Sequence, residues 1–262
     1  MTLAKNILVT RPEGQQHDMI TTLHNAGWHC LHQPLLTIQP IEESHPGYHP
    51  LRHTMMNLDH YDVIITVSSN ASSLAADWID RFWPQLPIDI KWFAVGHSSA
   101  TPLQSLDVSV VVPTGHHSEG LLALPELQSM NDKKVLIFRG TGGRELIANT
   151  LKQRGAQVEY AEFYERQPAK IDGNSFAALL TQQQIHYALV TSGEMAVQLT
   201  ELLTIAQSKP IHLIVPSARI KNQLKQLQRH DHFADVHICE HLKGDAMTSA
   251  LETIYTHTNG AE

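Results

Sequence analysis

Cysteine is nearly absent. Cys30 and Cys239 are the two in 262 residues, far apart and in no Cys-x-x-Cys pair. That excludes a disulfide scaffold and a cysteine-built zinc site, and predicts two buried free thiols in a reducing compartment. Basic residues are scarce too, 19 against 26 acidic for a net charge of −7. Nucleic-acid binders neutralise phosphates with clustered Lys and Arg, so no nucleic-acid partner is expected, and any anionic ligand must be held locally. Long hydrophobic runs are missing: residues 108–112, interrupted by Ser109, are typical of the longest. Such runs fall far short of the roughly 20 residues a membrane span needs. Residues 1–6 lead straight into a strand-like run and lack the charged-then-apolar pattern of a signal peptide. These absences predict a cytoplasmic protein without a membrane partner.

What is present is alternation. Short β-branched runs at 7–10, 63–67, 93–95, 108–112, 135–138, 188–191, 213–215 and 236–239 are separated by amphipathic stretches. Those stretches begin near Gln15, Ser72, Ser99, Glu119, Arg144, Met195, Ala218 and Ala246. Several follow Ser, Asp or Gly, residues that satisfy the first free N–H groups of a helix. The pattern predicts an α/β fold of parallel sheets flanked by helices.

An internal repeat sharpens this. Arg11 and Arg139 lie 128 positions apart, and the same gapless offset aligns Leu8 with Leu136, Gly14 with Gly142, Thr22 with Thr150, Leu23 with Leu151 and Gly27 with Gly155. Each copy reads strand, Arg, glycine loop, helix, Gly, strand. Further on, Val67-Ser68-Ser69 matches Val190-Thr191-Ser192, and Val95-Gly96-His97-Ser98 loosely matches Val215-Pro216-Ser217-Ala218. Two similar flavodoxin-like domains are the simplest account. The spacing is satisfied equally by halves that fold alone and by halves that exchange elements. Segments 29–41 and 157–167 are longer than a strand needs, long enough to run between domains.

Candidate chemistry sits in three places. Arg139-Gly140-Thr141-Gly142-Gly143-Arg144 follows a strand and opens a helix, presenting N–H groups and two guanidiniums to an anion. It is neither a dinucleotide fingerprint, since Glu145 stands where the third glycine belongs, nor a P-loop. Small polar residues at strand ends form a second set: Ser68, Ser69 and Asn70; Gly96, His97 and Ser98; Thr191, Ser192 and Gly193; and Ser217. Ordinary N-capping explains any one of them, but open α/β sheets bind ligands at such rims. Tyr164 is third, a phenol able to donate a proton at neutral pH and poor as a base. Ser118-Glu119-Gly120 reads as a helix start. The 18 histidines predict no metal: His45, His49 and His53 have helical spacing, but Pro46, Gly47 and Pro50 argue against a helix there, and His116 with His117, and His230 with His232, are incomplete sets.

Taken in order, these residues resemble the uroporphyrinogen-III synthase family. The likeness is carried by Ile-Leu-Val-Thr-Arg-Pro at 7–12, Ser68-Ser69-Asn70-Ala71, Ala94-Val95-Gly96, Ser118-Glu119-Gly120-Leu121-Leu122, and the stretch from Arg139 through Arg144 to Leu146. It continues in Gly155-Ala156, Tyr164-Glu165-Arg166, Val190-Thr191-Ser192-Gly193-Glu194 and Asp245-Ala246-Met247. The resemblance implies two flavodoxin-like domains joined by a two-stranded β-ladder, with the first discontinuous. Residues 1–36 and 168–262 would form one domain, 41–162 the other, and 37–40 with 163–167 the connecting strands. It also implies a monomeric, cofactor-free lyase acting on the linear tetrapyrrole hydroxymethylbilane in heme biosynthesis, with transient contact to the hydroxymethylbilane synthase upstream. Tyr164 matches the family's tyrosine and is the expected general acid. Arg11 joins the rim residues above as expected substrate ligands. Where some relatives carry threonines, this chain has Ser217 and Ala218, so only Ser217 is carried over. The competing expectation is a two-domain anion-binding module that closes by hinge motion without catalysis.

Overall fold

The computed structural model describes residues 3–114, 118–206 and 210–260. The chain opens with β1 (Asn6–Val9), α1 (His17–Asn25), β2 (His29–His32) and β3 (Leu36–Pro40). It continues through α2 (Tyr48–Met56), β4 (Val63–Thr66), α3 (Ser69–Phe82), β5 (Lys91–Ala94), α4 (His97–Gln104), β6 (Val110–Val111), α5 (Ser118–Leu122), β7 (Lys134–Arg139), α6 (Leu146–Gln153) and β8 (Gln157–Glu162). It then passes through β9 (Tyr164–Pro168), α7 (Gly173–Gln182), β10 (Tyr187–Leu189), α8 (Gly193–Ala206), β11 (His212–Val215), α9 (Ala218–Gln226), β12 (Asp235–Ile238) and α10 (Gly244–Gly260). Two compact units result, Met1–Thr37 with Gln167–Glu262, and Ile38–Arg166.

Each unit is built on a five-stranded parallel sheet. The first has the order β12-β11-β10-β1-β2 and the second β6-β5-β4-β7-β8. With β1 and β7 as the leading strands of their sheets, both read 2-1-3-4-5, the flavodoxin-like order. The question left by the repeat is thereby answered. β1, from the first copy, pairs with β10 from the second, while β7, from the second copy, pairs with β4 from the first. The copies have exchanged their leading β-α-β elements.

The strands are apolar at successive positions because both faces of each sheet are covered. Along β1, Leu8 packs into one cluster with Leu213 and Val215, while Ile7 and Val9 point the other way into a second with Trp28 and Tyr187. In the other unit Leu136 and Phe138 face one cluster, and Val135 and Ile137 the opposite one. The long extended segments each break into two strands. β3 and β9 then pair antiparallel, with Ile41 N–H donating to Phe163 O at 2.8 Å and Ala169 N–H to Leu35 O at 2.9 Å.

One expectation is corrected. Residues 48–56 do form a helix despite Pro50. Pro50 is the third residue of α2, inside the first turn, where backbone N–H groups have no intrahelical acceptor and a proline removes nothing. His45 is used locally, accepting from Gly47 N–H at 3.0 Å and meeting Glu165 at 3.2 Å. No group of three or more His, Cys, Asp or Glu suited to a metal occurs among the described residues, and His116 and His117 lie outside them. Nor, among the described residues, is any helix long and apolar enough to cross a membrane.

Candidate functional site

In the Ile38–Arg166 unit the carboxyl ends of the neighbouring strands β7 and β4 open onto a cavity of about 230 Å³. Crossovers leave in opposite directions from such a pair, which leaves a crevice between them. The lining includes Ser68 after β4, Arg139 at the end of β7, Gly140, Gly142, Gly143 and Arg144 in the following loop, Ser118, Tyr160, Tyr164 and Arg166.

Ser68 is the N-cap of α3. Its backbone is extended and its Oγ accepts from Ala71 N–H at 3.1 Å. One lone pair and its O–H remain for the Tyr164 hydroxyl, 3.0 Å away. Tyr164 begins β9 and is 3% exposed, its ring packed among Phe138, Ala161 and Phe163. Gly140 fits beneath that ring because it has no side chain: a Cβ there would lie 2.5 Å from Tyr164 Cζ. Thr141 N–H donates to Tyr164 O at 2.8 Å, so the glycine loop and the tyrosine are tied through backbone as well. The Arg166 guanidinium lies 5.9 Å from the centre of the Tyr164 ring.

Arg139 is engaged differently from what its position suggested. Its side chain is 6% exposed and committed within the unit. Nε donates to Gly140 O at 3.1 Å, Nη2 to Gly142 O, and Nη1 to Glu145 Oε1 at 2.9 Å, with Glu162 Oε1 3.9 Å from Nε. The Tyr160 ring lies beneath it, 4.5 Å away, and its hydroxyl donates to Glu145 Oε2. Glu145 is held below the usual carboxylate range, first by the Tyr160 hydroxyl and then by Arg139. Burial and Glu145 push the Tyr160 phenol up to about 12. Glu162 also accepts from Gly142 N–H at 3.3 Å. Arg139 therefore holds the loop in shape, while Arg144 beyond it is exposed on the cavity lining.

Of the residues expected to contact substrate, this cavity brings together Ser68, Ser118, Arg139, Gly140, Gly142, Arg144 and Tyr164. Ser69 and Asn70 lie in the first turn of α3, Gly96 caps α4 ahead of the exposed His97 and Ser98, and Glu119 and Gly120 sit in α5, all outside the cavity lining. The other unit carries the remainder. Arg11 follows β1. Ser192 Oγ accepts from Met195 N–H at 3.2 Å, and Thr191 Oγ1 lies 3.4 Å from Met195 Sδ. Gly193 opens α8, and Ser217 caps α9 without a side-chain hydrogen bond to it. Tyr160 was not singled out from sequence, and Arg166 entered only within the family likeness, with no role at the site. The signal for Arg166 was the two-residue period of a strand, which puts positions 164 and 166 on one face.

Two open parallel sheets of flavodoxin-like order, each with a glycine turn after its leading strand, define a two-unit α/β protein with polar strand-end rims. The chain belongs to the uroporphyrinogen-III synthase family. Residues 17–243 match the family model described as uroporphyrinogen-III synthase HemD. The chain is 32% identical over 252 residues to the uroporphyrinogen-III synthase of Escherichia coli K12, covering 94% of this chain and all of that one. It is 34% identical over 196 residues to that of Proteus mirabilis, covering 74% and 96%. The same fold is seen in a mutant uroporphyrinogen III synthase of Thermus thermophilus, with TM-score 0.60, 13% identity and 97% and 99% coverage. The enzyme of Helicobacter pylori 26695 shares it too, with TM-score 0.55, 13% identity and 97% and 100% coverage.

Proposed function

We propose that this chain cyclises hydroxymethylbilane to uroporphyrinogen III, as a cofactor-free cyclising lyase working as a cytoplasmic monomer. The observation that carries this reading, beside the family, is the buried Tyr164 hydroxyl 3.0 Å from Ser68 Oγ, on a cavity wall shared with Arg144 and Arg166. In the reaction the terminal hydroxyl leaves as water and an azafulvene remains. The substituted α-carbon of the last pyrrole attacks it to give a spirocyclic pyrrolenine, which fragments and recloses with that ring reversed.

Departure of hydroxide from an uncharged carbinol is slow, so a proton delivered to the leaving oxygen is where a side chain contributes, by roughly 10² to 10⁴. Tyr164 is assigned that role. The phenolate it leaves would be stabilised by the Ser68 O–H and by the cation of Arg166. Azafulvene formation does not choose the isomer; closure without an enzyme gives type I. Selection of the substituted carbon comes from holding a folded conformer, an orientation effect worth several orders of magnitude. Substrate carboxylates are assigned to Arg144, Ser118 and the glycine-loop amides in the Ile38–Arg166 unit, and to Arg11, Thr191, Ser192, Gly193 and Ser217 in the other. Transient delivery of substrate by the upstream hydroxymethylbilane synthase fits a product that otherwise closes by itself.

The test is isomer analysis: purified protein is given fresh hydroxymethylbilane, the products are oxidised, and uroporphyrins I and III are separated. Predominant type III is expected. Type I alone, at the rate of the protein-free control, would reject the enzyme and leave an anion-binding module.

A further inference from the structure

The internal repeat places Arg11 and Arg139 at equivalent points, and the structure bears out the equivalence in detail. Val9 pairs with His32 across β1 and β2 just as Ile137 pairs with Tyr160 across β7 and β8, each 128 positions on. Gly14 and Gly142 both have positive φ, at 79° and 71°, as do Gly27 and Gly155, at 78° and 95°. Both arginines thus leave the end of a leading strand and enter the same kind of turn before a helix.

Their surroundings have diverged. The side chains that engage Arg139 have lost their counterparts around Arg11: His17 stands at the position of Glu145, Pro34 at that of Glu162, and His32 at that of Tyr160. His32 reaches toward the turn, but Nε2 meets the Arg11 carbonyl at 2.9 Å and leaves the guanidinium alone. Among the described residues no carboxylate or carbonyl accepts from the Arg11 side chain, and its Nε is closed to solvent without a partner. Asp18 acts on it only at a distance, and desolvation by burial makes its charge harder to keep. A half-buried cation without a counter-ion is costly unless something else supplies the charge. Gln16, 4% exposed at the start of α1, has its Oε1 unpartnered in the same turn.

We propose that the two arginines of the repeat have divided one ancestral job. Arg11 is the ligand for a carboxylate of the substrate, its charge left open for it, whereas Arg139 is a positioning residue that clamps the Gly140–Gly143 loop through Glu145 and Glu162. This rests on the reading above for the identity of the ligand, a polycarboxylate tetrapyrrole.

The experiment compares Arg11→Gln, Arg11→Lys, Arg139→Gln and the wild-type full-length protein. Three quantities are read: the Kd for uroporphyrin I, an octacarboxylate probe, at low and high ionic strength; the thermal midpoint; and KM and kcat for hydroxymethylbilane. Arg11→Gln should raise Kd and KM about tenfold, the size of one charge-assisted hydrogen bond. Its deficit should shrink at high salt, where the charge is screened. Arg11→Lys should recover part of the affinity, and neither change should lower the midpoint. Arg139→Gln should lower both the midpoint and kcat, because two carboxylates are left without their cation and the loop loses its clamp. An unchanged Kd in Arg11→Gln, a fall in its midpoint matching that of Arg139→Gln, or a wild-type protein that does not bind the probe would each overturn the proposal. Should the wild type bind the probe and Arg11→Gln weaken it while no type III product forms, the catalytic reading fails and Arg11 stands as an anion ligand.

Discussion

Gly140 lies flat against the Tyr164 ring, so close that a methyl on its Cα would fall 2.5 Å from Cζ, beside the hydroxyl-bearing end of the ring. The ring cannot yield easily, because Phe138 and Phe163 pack in the same cluster. Gly140→Ala is therefore expected to push the phenol off Ser68 and to cost about 1–3 kcal/mol in overpacking. Turnover should fall more than the thermal midpoint alone accounts for. Activity compared with unfolding curves of the same preparation checks this, and full activity in a destabilised protein would count against the role of the contact.

Tyr164→Phe removes the hydroxyl and keeps the ring. If the phenol is the proton donor, kcat should drop by about 10² to 10⁴ with the thermal midpoint nearly kept. Ser68→Ala should lower kcat less, since the phenol itself remains, but should lower the midpoint as well, since the cap of α3 goes with it. If, as proposed, orientation rather than proton transfer selects the isomer, type III should still predominate in whatever product Tyr164→Phe itself makes. A drop of less than a few-fold would assign Tyr164 to packing.

Gly155 and Gly142 separate two costs that glycine usually hides. Both have positive φ, which an alanine adopts at about 1–2 kcal/mol. At Gly142 a Cβ meets nothing within 4 Å, but at Gly155 it would lie 3.0 Å from the Asn131 Cα. Gly155→Ala should be the more destabilising in denaturant titration by about 1 kcal/mol or more, and equal losses would show that strain in φ is the whole effect.

His212, the first residue of β11, has its Nδ1 3.1 Å from Nε2 of His237, the third residue of β12, with Tyr187 stacked on the far side of His212 at 5.4 Å. Burial depresses both histidines below 6.5. His237 and His186 lower His212 further, Lys221 and His257 lower His237, and Asp235 works the other way on each. With folded values below unfolded ones, the unfolded chain takes up protons first as pH falls. Stability should hold above the ordinary value of 6.5 and decline below it until the folded-state values are passed. Thermal midpoints from about pH 8 to about pH 5 should show this decline, and His237→Gln should flatten it.

Much of the fold was legible because the strands are buried on both faces and so announce themselves as unbroken apolar runs. α2 was not, since Pro50 reads as a breaker until its place within the first turn is known. α7 also escaped notice, though Asp172 followed three residues later by Ser175 is the capping pair that starts it. In the cavity, Ser68, Arg144 and Tyr164 could be picked out from residue type and position. The commitment of Arg139 could not, because Glu162 reaches it through the β7–β8 register, a relation between neighbouring strands that chain order does not show. The exchange of elements was equally hidden: swapped and unswapped copies have the same spacing.

That exchange sets an order of events during synthesis. β1 has no partner on its β10 side until the chain has grown past residue 189, whereas β4 to β8 form an uninterrupted stretch. At about 5–20 residues per second the amino-terminal strands wait on the order of ten seconds or more beside the ribosome. The central unit can be complete by then. The fragment 1–168, once clear of the ribosome, should hold one finished unit and an apolar leading segment still open to chaperones.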